Sequence, residues 1–418
     1  MPDRVVITGL GIVSPLGLDA RAHYEAACDG RSGIRPIEHF DVTGLRTRFA
    51  GQVDGAGFAA ALVDVDPSKM DRFAHLAVVA SRAGLADARL RPGEDGVLSE
   101  RVAVCIGTAQ GGRIADEQAM ERYFSGGGKF MRAAGVPLIM PSAATAWVGI
   151  LCNARGPAFP LSTACAAGLQ SVALGASLIQ SGAADVVIAG AADAPIVRTM
   201  ILAWCTARAT SARNGDPRSA SRPFDLGRDG FVLAEGAAAL ILESAEHAVG
   251  RGAQIYAEIR GQGHSSDGFD MVAPSPSGEG AARAMRAALK NAKAEPDQIT
   301  IASAHGTSTR MNDAAEATAL REVFGEKPGP AIMSLKSLTG HAMGASGAIE
   351  VATLAMVLKE GVIPPNPNLV EVDPACRLNH VAGSAGRYQG GLAIASSLAF
   401  GGANSSLVLA PWPTHGAS

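Results

Sequence analysis

The chain has 418 residues, a formal net charge of −3 and 18% charged residues. This length suffices for two domains or for one duplicated unit with a large core. The near-neutral charge excludes a global basic field that would draw the chain to nucleic acid or to a membrane surface. The six cysteines form no CxxC pair and have no metal-ligand spacing, which predicts free thiols, a reducing cytosol and no metal site. Without a signal-peptide pattern or an apolar run of about 18 residues, we expect a cytoplasmic protein that does not cross a membrane.

Apolar runs and turn residues predict an alternation of strands and helices along the whole chain. The first half has strands at 4–10, 101–107, 185–191 and 237–243 and helices at 20–28 and 67–88. The second half has strands at 254–259, before His305, at 392–397 and at 405–409, and a helix at 280–292. We expect the first of these strands to end in a glycine turn at 259–263. We place the boundary near residue 251, which gives halves 1–251 and 252–418. Such alternation is typical of layered α/β proteins.

An internal repeat relates two small-residue helices, one in each half. Residues 166–182 align with residues 345–361 at an offset of 179. The identical pairs are Ala166 and Ala345, Gly168 and Gly347, Val172 and Val351, Ala173 and Ala352, Ala176 and Ala355, and Gly182 and Gly361. Because both helices are apolar on all sides, we expect them to form the buried centre of a duplicated fold.

Cys165 lies where a run of small residues passes into the first of these helices. A helix N-terminus carries about half a positive charge, so this position favours a thiolate and is expected to lower the thiol pKa toward neutrality. The free backbone N–H groups can also hold an anionic oxygen. Cys165 is therefore a candidate nucleophile with part of an oxyanion hole beside it. The alternative is that this cysteine only packs in the core.

Two histidines lie in settings similar to that of Cys165. His305 follows a predicted strand, and His341 lies where the second buried helix begins. Because the two helices are duplicates, we expect Cys165 and His341 to lie close together across a pseudo-twofold axis. Two imidazoles beside one thiol suggest two N–H donors on a carbonyl oxygen that becomes an enolate. Each histidine alone can equally be a hydrogen-bonded core residue.

Charged residues in small-residue surroundings are candidates for fixing the histidine rings, since buried charges need partners. They are Lys336, Glu350, Asp313 and Glu316. The alternative is an exposed helix charge, which the pattern favours most for Glu316 and least for Lys336 and Glu350. The double glycine after Phe400 allows a backbone turn close to a ligand and a second oxyanion donor, or else an ordinary hairpin turn.

Four separated motifs, STACAAG, AHGTSTRMNDAAE, SLKSLTGH and AFGGAN, resemble those of the β-ketoacyl-[acyl-carrier-protein] synthases, most closely the synthase II type. The resemblance covers essentially the whole chain, from VVITGLGIVSPLG to the last strand pair. It implies the thiolase fold, a duplicated five-layered α/β/α/β/α architecture that is usually dimeric. Motif position implies that Cys165 takes an acyl group from an acyl carrier protein. His305 and His341 would promote decarboxylation of malonyl-carrier protein.

The same resemblance assigns expected roles to further residues. Lys336 matches the lysine of the family motif and Glu350 its partner. The backbone N–H groups of Cys165 and Phe400 would form the oxyanion hole, with Phe400 also a gate over the cysteine. Thr307 and Thr309 match threonines that bind the pantetheine arm. No cofactor is implied, because phosphopantetheine arrives on the carrier protein.

Several positions depart from the family pattern. Gln110 occupies a position commonly apolar at the floor of the acyl pocket, and a buried amide needs hydrogen-bond partners. We therefore expect a short, polar, unsaturated or polyketide-like acyl chain. Val272 replaces an expected pantetheine-contacting threonine, and Arg310 replaces a proline. The candidates for contact with an acidic carrier protein are Lys69, Lys129, Arg132 and Arg208.

The sequence therefore predicts decarboxylative Claisen elongation of a carrier-bound thioester, in fatty-acid or polyketide synthesis, by a homodimer or heterodimer. One alternative is a polyketide synthase subunit that is active only with a chain-length partner. Another is that the chain is itself such a partner, although these typically lack the cysteine. A third alternative, a cysteine hydrolase, predicts a free acid as the product.

Overall fold

The computed structural model describes residues 4–62, 65–94, 96–127, 135–325 and 329–413. The strands are β1 (Val5–Val13), β2 (Ile34–Pro36), β3 (Phe49–Gly51), β4 (Val102–Gly107), β5 (Val186–Asp193), β6 (Gly236–Ser244), β7 (Ala257–Ser266), β8 (Ile299–Ser303), β9 (Ala331–Met333), β10 (Val362–Ile363), β11 (Gly386–Arg387), β12 (Leu392–Leu398) and β13 (Ala403–Pro411). The helices are α1 (Ala20–Cys28), α2 (Gly55–Ala60), α3 (Arg72–Ala88), α4 (Arg113–Ser125), α5 (Gly135–Ile139), α6 (Ala143–Leu151), α7 (Ala167–Gln180), α8 (Arg198–Thr206), α9 (Ala245–Gly250), α10 (Glu279–Ala292), α11 (Arg310–Phe324), α12 (Lys336–Thr339) and α13 (Ala345–Glu360).

Nine strands form one mixed sheet whose two halves repeat the same order. Outward from the centre, the first half runs β1, β6, β5, β4, and the second runs β7, β13, β12, β8, β9. The pairing directions also match, since β4 pairs parallel with β5 as β8 does with β12. The first strands of the two halves, β1 and β7, pair antiparallel and join the halves. The boundary predicted at residue 251 stays a prediction.

Helices cover both faces of this sheet in three layers. Helix α3 packs on β1 and β6, and α10 packs on β7 and β13. Between the two half-sheets lie α7 and α13, which contact each other and strands of both halves. Every described side chain of α13 from Ala345 to Leu358 is buried. The result is the predicted five-layered α/β/α/β/α thiolase fold, with the small-residue helices at its centre.

Backbone geometry confirms the predicted repeat. Ala164 and Met343, at the offset of 179, both have left-handed backbone conformations, with φ values of 47° and 49°. The two helix starts also touch, because the Gly168 N–H donates to the Gly344 carbonyl at 3.0 Å. A Cβ at Gly168 would lie 2.6 Å from that carbonyl oxygen. The identities found in sequence therefore mark a close contact between duplicated elements.

The predicted glycine turn at residues 259–263 is wrong, because β7 continues through it to Ser266. A Cβ at Gly261 or Gly263 would lie 2.5 or 2.2 Å from backbone atoms of α10. In the first half, Gly9 and Gly11 of β1 lie equally close to α3. These glycines allow a strand to approach a helix rather than turning the chain.

Other predicted bounds differ from the structure by a few residues. The predicted helix at 67–88 is a 3₁₀ turn at Pro67–Lys69 followed by α3, because the Asp71 carboxylate accepts the Phe73 N–H and starts a new helix. The prediction of a strand at 254–259 places its start too early, since β7 begins at Ala257. Within the described ranges, no helix combines the length and apolarity that a membrane span needs.

Candidate active site

Cys165 lies in a 3₁₀ turn, Ala164–Ala166, that leads directly into α7. The turn begins at Ala164, whose left-handed backbone is a strained conformation for a residue with a Cβ. The Cys165 side chain is buried, and the backbone N–H groups of Cys165 and Phe400 favour the thiolate form of Sγ. The structure thus brings together the two N–H donors that the resemblance assigns to an oxyanion hole.

His341 lies beside the thiol, as the repeat predicts. Its Nε2 is 3.1 Å from Cys165 Sγ, and its Nδ1 is 3.0 Å from the Ser346 hydroxyl. The ring is buried and meets the Phe231 ring edge-on at 5.7 Å. Because Nε2 faces sulfur, this imidazole can either accept the thiol proton or donate to a thiolate.

His305 follows β8 and presents its ring to the same space, 5.3 Å from the His341 ring centroid. The Lys336 ammonium lies 3.3 Å from His305 Nδ1 and donates to the His305 carbonyl at 2.6 Å. An ammonium can only donate, so Nδ1 must accept and the ring proton is held on Nε2. His305 is therefore fixed as an N–H donor at its other edge.

Lys336 and Glu350 form a buried ion pair, with Nζ 2.5 Å from Oε1 and each side chain only 2% exposed. Burial raises the pKa of the Glu350 carboxyl, and the ammonium opposes that rise. Burial and the Lys336 charge together hold the pKa of both His305 and His341 well below the usual range. Both imidazoles are therefore neutral near pH 7.

The alternative that Glu316 is an exposed helix charge is wrong, because its side chain is fully buried. Its oxygens accept the backbone N–H groups of His305 at 2.6 Å and Gly306 at 2.8 Å, and burial raises its pKa to about 7. Asp313, also buried, accepts the N–H groups of Phe224 and Ser308. Both carboxyls hold the backbone around His305 in place.

A helix N-terminus is expected to lower the pKa of the Cys165 thiol, but burial changes it in the opposite direction. It raises the pKa of the thiol to about 12, although the Lys336 charge and the two backbone N–H groups favour the thiolate. The expected shift toward neutrality is wrong because the sulfur is buried among protein atoms, where a charge is costly. The resting group is a thiol that needs a base.

A cavity of about 380 Å³ leads from the thiol to the surface. Thr307 and Thr309 line it, with their hydroxyls 3.0 Å apart. Phe400 also lines it and is 39% exposed, and its ring packs edge-on against Trp204 at 5.6 Å. The structure thus brings these residues together around one channel that ends at Cys165.

Gln110 lines the same cavity and is half-buried. Its side-chain oxygen accepts from Arg113 Nε at 3.3 Å. Its backbone N–H donates to Asp193 at 2.9 Å, and Asp193 also accepts from Ala109 and, at 2.8 Å, from Gly344. This carboxylate therefore links the pocket floor to the segment that carries His341.

The basic residues proposed for carrier contact do not all cluster. Arg208 is exposed and lines the cavity, together with Arg310 and Val272. Lys69 is exposed elsewhere, 3.9 Å from Asp66, and does not line the cavity. Lys129 and Arg132 lie outside the described residues.

One group of side chains in the described part of the chain has the spacing to hold a metal ion. The ligand atoms of Cys165, His305 and His341 all lie within 4.8 Å of one another. The Lys336 ammonium already lies against His305 Nδ1, and a second cation beside it would be repelled. The arrangement is better suited to binding an oxygen that becomes negative.

Sequence reasoning missed three residues of this site: Asp193, Trp204 and Ser346. Asp193 ends the apolar strand β5, and a carboxylate in such a position was a usable signal. Trp204 carries no such signal because its partners, Phe231 and Phe400, come from other segments of the chain. Ser346 carries none because its bond to His341, five residues earlier, depends on how the chain turns into α13.

Comparisons with known proteins agree with this geometry. Residues 2–248 match the family "Beta-ketoacyl synthase, N-terminal domain", and residues 256–370 match "Beta-ketoacyl synthase, C-terminal domain". The chain is 39% identical over 406 residues to a 3-oxoacyl-[acyl-carrier-protein] synthase 2 of Staphylococcus aureus (strain COL), covering 97% of each chain. It is 38% identical to the Synechocystis sp. protein of the same name, with the same coverage.

Solved structures give the same result. A β-ketoacyl synthase from Burkholderia phymatum is 36% identical with a TM-score of 0.91, over 98% of this chain and 100% of that one. The ishigamide ketosynthase/chain length factor is 33% identical with a TM-score of 0.93, over 99% and 100%. The fold is that of thiolase-fold condensing enzymes. The chain belongs to the β-ketoacyl synthase family, whose members are condensing acyltransferases.

The raised pKa predicts how Cys165 reacts with a small alkylating agent. Because only the thiolate reacts, the iodoacetamide rate at Cys165 should rise about tenfold per pH unit from pH 7 to 9. Peptide mass spectrometry separates Cys165 from the other cysteines, and Cys165→Ser is the control. A rate that levels off above pH 7 would contradict the raised pKa.

The buried ion pair predicts an asymmetric effect on stability. Glu350→Gln leaves the Lys336 ammonium without its countercharge and should lower the free energy of unfolding by about 3–5 kcal/mol. The matched control is Glu279→Gln, which breaks the exposed Arg283–Glu279 pair and should cost at most about 1 kcal/mol. Urea denaturation measures both, and equal losses would contradict the account.

Proposed function

We propose that this chain elongates acyl chains by decarboxylative Claisen condensation, using Cys165 as the nucleophile and malonyl-carrier protein as the donor. The observation that carries the proposal is the 3.1 Å contact between Cys165 Sγ and His341 Nε2, with the Nε2–H of His305 directed into the same cavity. Free hydrolysis needs one histidine, whereas two neutral N–H donors suit an enolate oxygen.

In the first half-reaction, His341 Nε2 accepts the thiol proton as Sγ attacks the carbonyl of a carrier-bound acyl thioester. The N–H groups of Cys165 and Phe400 donate to the tetrahedral oxyanion. The carrier thiol leaves with the proton from His341, and the acyl group remains on Cys165. General-base help is needed because burial disfavours a preformed thiolate.

In the second half-reaction, the thioester oxygen of malonyl-carrier protein accepts hydrogen bonds from His305 Nε2–H and His341 Nε2–H. The bond to the carboxylate breaks, CO₂ leaves, and its electron pair forms the enolate. The enolate carbon then attacks the acyl carbonyl, the bond from that carbon to Sγ breaks, and the Cys165 thiolate takes up a proton from water in the cavity. We propose that no metal or redox cofactor takes part, since Lys336 already supplies a fixed positive charge beside the imidazoles.

The Thr307 and Thr309 hydroxyls are placed to bind a pantetheine arm that enters through the cavity, with Phe400 as the gate. Arg208 at the mouth is suited to an acidic carrier protein. One solved structural relative is a type II PKS acyl-carrier protein in complex with its ketosynthase bound to the hexaketide. The six free cysteines support a cytoplasmic location.

The test is intact-mass spectrometry of the protein with a panel of acyl-carrier proteins, followed by malonyl-carrier protein. Wild type should gain the acyl mass and then release a carrier-bound product two carbons longer, whereas Cys165→Ala should gain nothing. His305→Ala should still become acylated, but its rate of CO₂ release should fall by at least about 100-fold. Free acid as the product would favour a hydrolase and contradict the proposal.

We further propose that Gln110 selects against long saturated chains. Arg113 pairs with the amide oxygen, but an apolar chain packed against the amide would leave its N–H groups without a polar partner, which costs free energy. Gln110→Ile should shift the preference in the same panel by about tenfold toward longer saturated primers. Cys165 acylation rates give this ratio, and Lys69→Ala is the control, since Lys69 does not line the cavity. An unchanged ratio would rule out this role.

A homodimer is the assembly that we propose. Helix α6 packs on β4, the outermost strand of the first half, and α4, α5 and α6 expose apolar side chains, among them Met120, Phe124, Ile139 and Ile150. Apolar surface of this kind commonly marks an interface. Light scattering should give about twice the 42.5 kDa chain mass, whereas a monomer would favour an obligate heterodimer with a related subunit.

A further inference from the structure

The two half-reactions make opposite demands on His341. To accept the thiol proton, Nε2 must carry a lone pair, so the ring proton is on Nδ1. To donate to an enolate oxygen, Nε2 must carry the proton, so Nδ1 must be bare. Whatever faces Nδ1 must therefore accept in one half-reaction and donate in the other.

His305 and His341 differ in this respect. His305 Nδ1 faces the Lys336 ammonium, which can only donate and therefore holds one tautomer. His341 Nδ1 faces the Ser346 hydroxyl at 3.0 Å, and a hydroxyl can do both by rotating its proton. The site thus pairs one fixed imidazole with one that can change tautomer.

Ser346 is well placed for this task. It lies in the first turn of α13, is 4% exposed, and makes its only described side-chain hydrogen bond to His341. The repeat places Ala167 at the equivalent position of α7, so the duplicated helix does not itself need a hydroxyl here. The helix anchors Ser346 Oγ, and the hydroxyl proton remains free to turn.

We propose that Ser346 is a positioning residue that keeps His341 Nδ1 paired in both tautomers, so that one imidazole serves as base in acyl transfer and as donor in decarboxylation. This rests on the proposed function. In acyl transfer the Ser346 oxygen accepts from Nδ1–H, which carries positive charge once Nε2 takes the proton from Sγ. Between the half-reactions His341 changes tautomer by exchange with water, taking a proton on Nε2 and giving up the one on Nδ1. In decarboxylation the Ser346 O–H then donates to bare Nδ1 while Nε2–H points at the enolate oxygen.

The first test measures the two half-reactions separately in the full-length protein. Ser346→Ala should slow both Cys165 acylation and CO₂ release from malonyl-carrier protein about tenfold, because the hydrogen bond to Nδ1 is lost in each, and in acyl transfer that bond is charge-assisted. Ser346→Thr keeps the hydroxyl and should restore at least half of each rate. The matched control is Ser171→Ala, which removes a buried hydroxyl of α7 that bonds only its own helix.

The second test detects the tautomer itself. The ¹⁵N shifts of histidine-labelled protein distinguish Nδ1–H from Nε2–H, and His341→Asn assigns the signal. In wild type the proton should be on Nδ1 when Cys165 is a free thiol and on Nε2 after iodoacetamide has capped the sulfur. In Ser346→Ala the two states should no longer differ cleanly, because neither tautomer has a partner for Nδ1.

Three results would overturn the inference: Ser346→Ala rates within twofold of wild type, Ser346→Thr as slow as Ser346→Ala, or the same His341 tautomer in both wild-type states. The NMR measurement needs no carrier protein. If wild type showed the tautomer change but accepted no acyl group, the proposed function would fail while the tautomer assignment stood.

Discussion

The active site depends on one buried positive charge, the Lys336 ammonium. A charge removed from water needs close partners, and Glu350 and the His305 carbonyl supply them at 2.5 and 2.6 Å. The same charge lies against His305 Nδ1, which keeps that ring neutral and directs its proton toward the cavity. It also lowers the pKa of His341. Burial and the Lys336 charge thus keep both imidazoles neutral, and Lys336 fixes the tautomer of His305 without facing the cavity itself.

The duplicated fold places the nucleophile and its base. Cys165 comes from the start of α7 and His341 from the segment before α13, so the two meet only because the helix starts of both halves touch. Gly168 and Gly344 make this approach possible through a direct backbone hydrogen bond. Ala164 and Met343 take up left-handed backbone conformations on either side of it. A symmetric scaffold therefore gives an asymmetric pair, with a thiol from one half and an imidazole from the other.

Much of this arrangement was predictable from the sequence. Alternating apolar segments gave the α/β layers, and the repeat placed Cys165 beside His341. The resemblance added the roles of Lys336, Phe400 and the two threonines, which no spacing could have supplied. The predicted end of the strand at Gly261 and Gly263 was wrong. In sequence, a glycine that turns the chain cannot be told from one that lets a helix pack close to a strand. The predicted downward shift of the Cys165 pKa was wrong because a helix terminus is visible in the sequence, whereas the burial of the sulfur depends on the whole fold.

The residues that sequence reasoning missed share a physical reason. Asp193 accepts hydrogen bonds from residues that are distant in the chain. Ser346 is close to His341 in sequence, but their hydrogen bond depends on the orientation of both side chains. Glu316 lies on α11 among both polar and apolar residues, so the sequence does not show which face of the helix is buried. Its carboxylate is buried because it accepts the His305 and Gly306 N–H groups, whose position depends on where β8 ends. Buried carboxyls of this kind are recognised only once their backbone partners are in place.

The role of Lys336 is tested most directly by a neutron crystal structure of the deuterium-exchanged protein at pH 7.5, which locates the ring protons of His305. We expect deuterium on Nε2, none on Nδ1, and three deuterons on Lys336 Nζ with one directed at Nδ1. A doubly protonated His305, or a neutral Lys336 amine that accepts from Nδ1, would contradict the claim that this buried charge sets the protonation of the site.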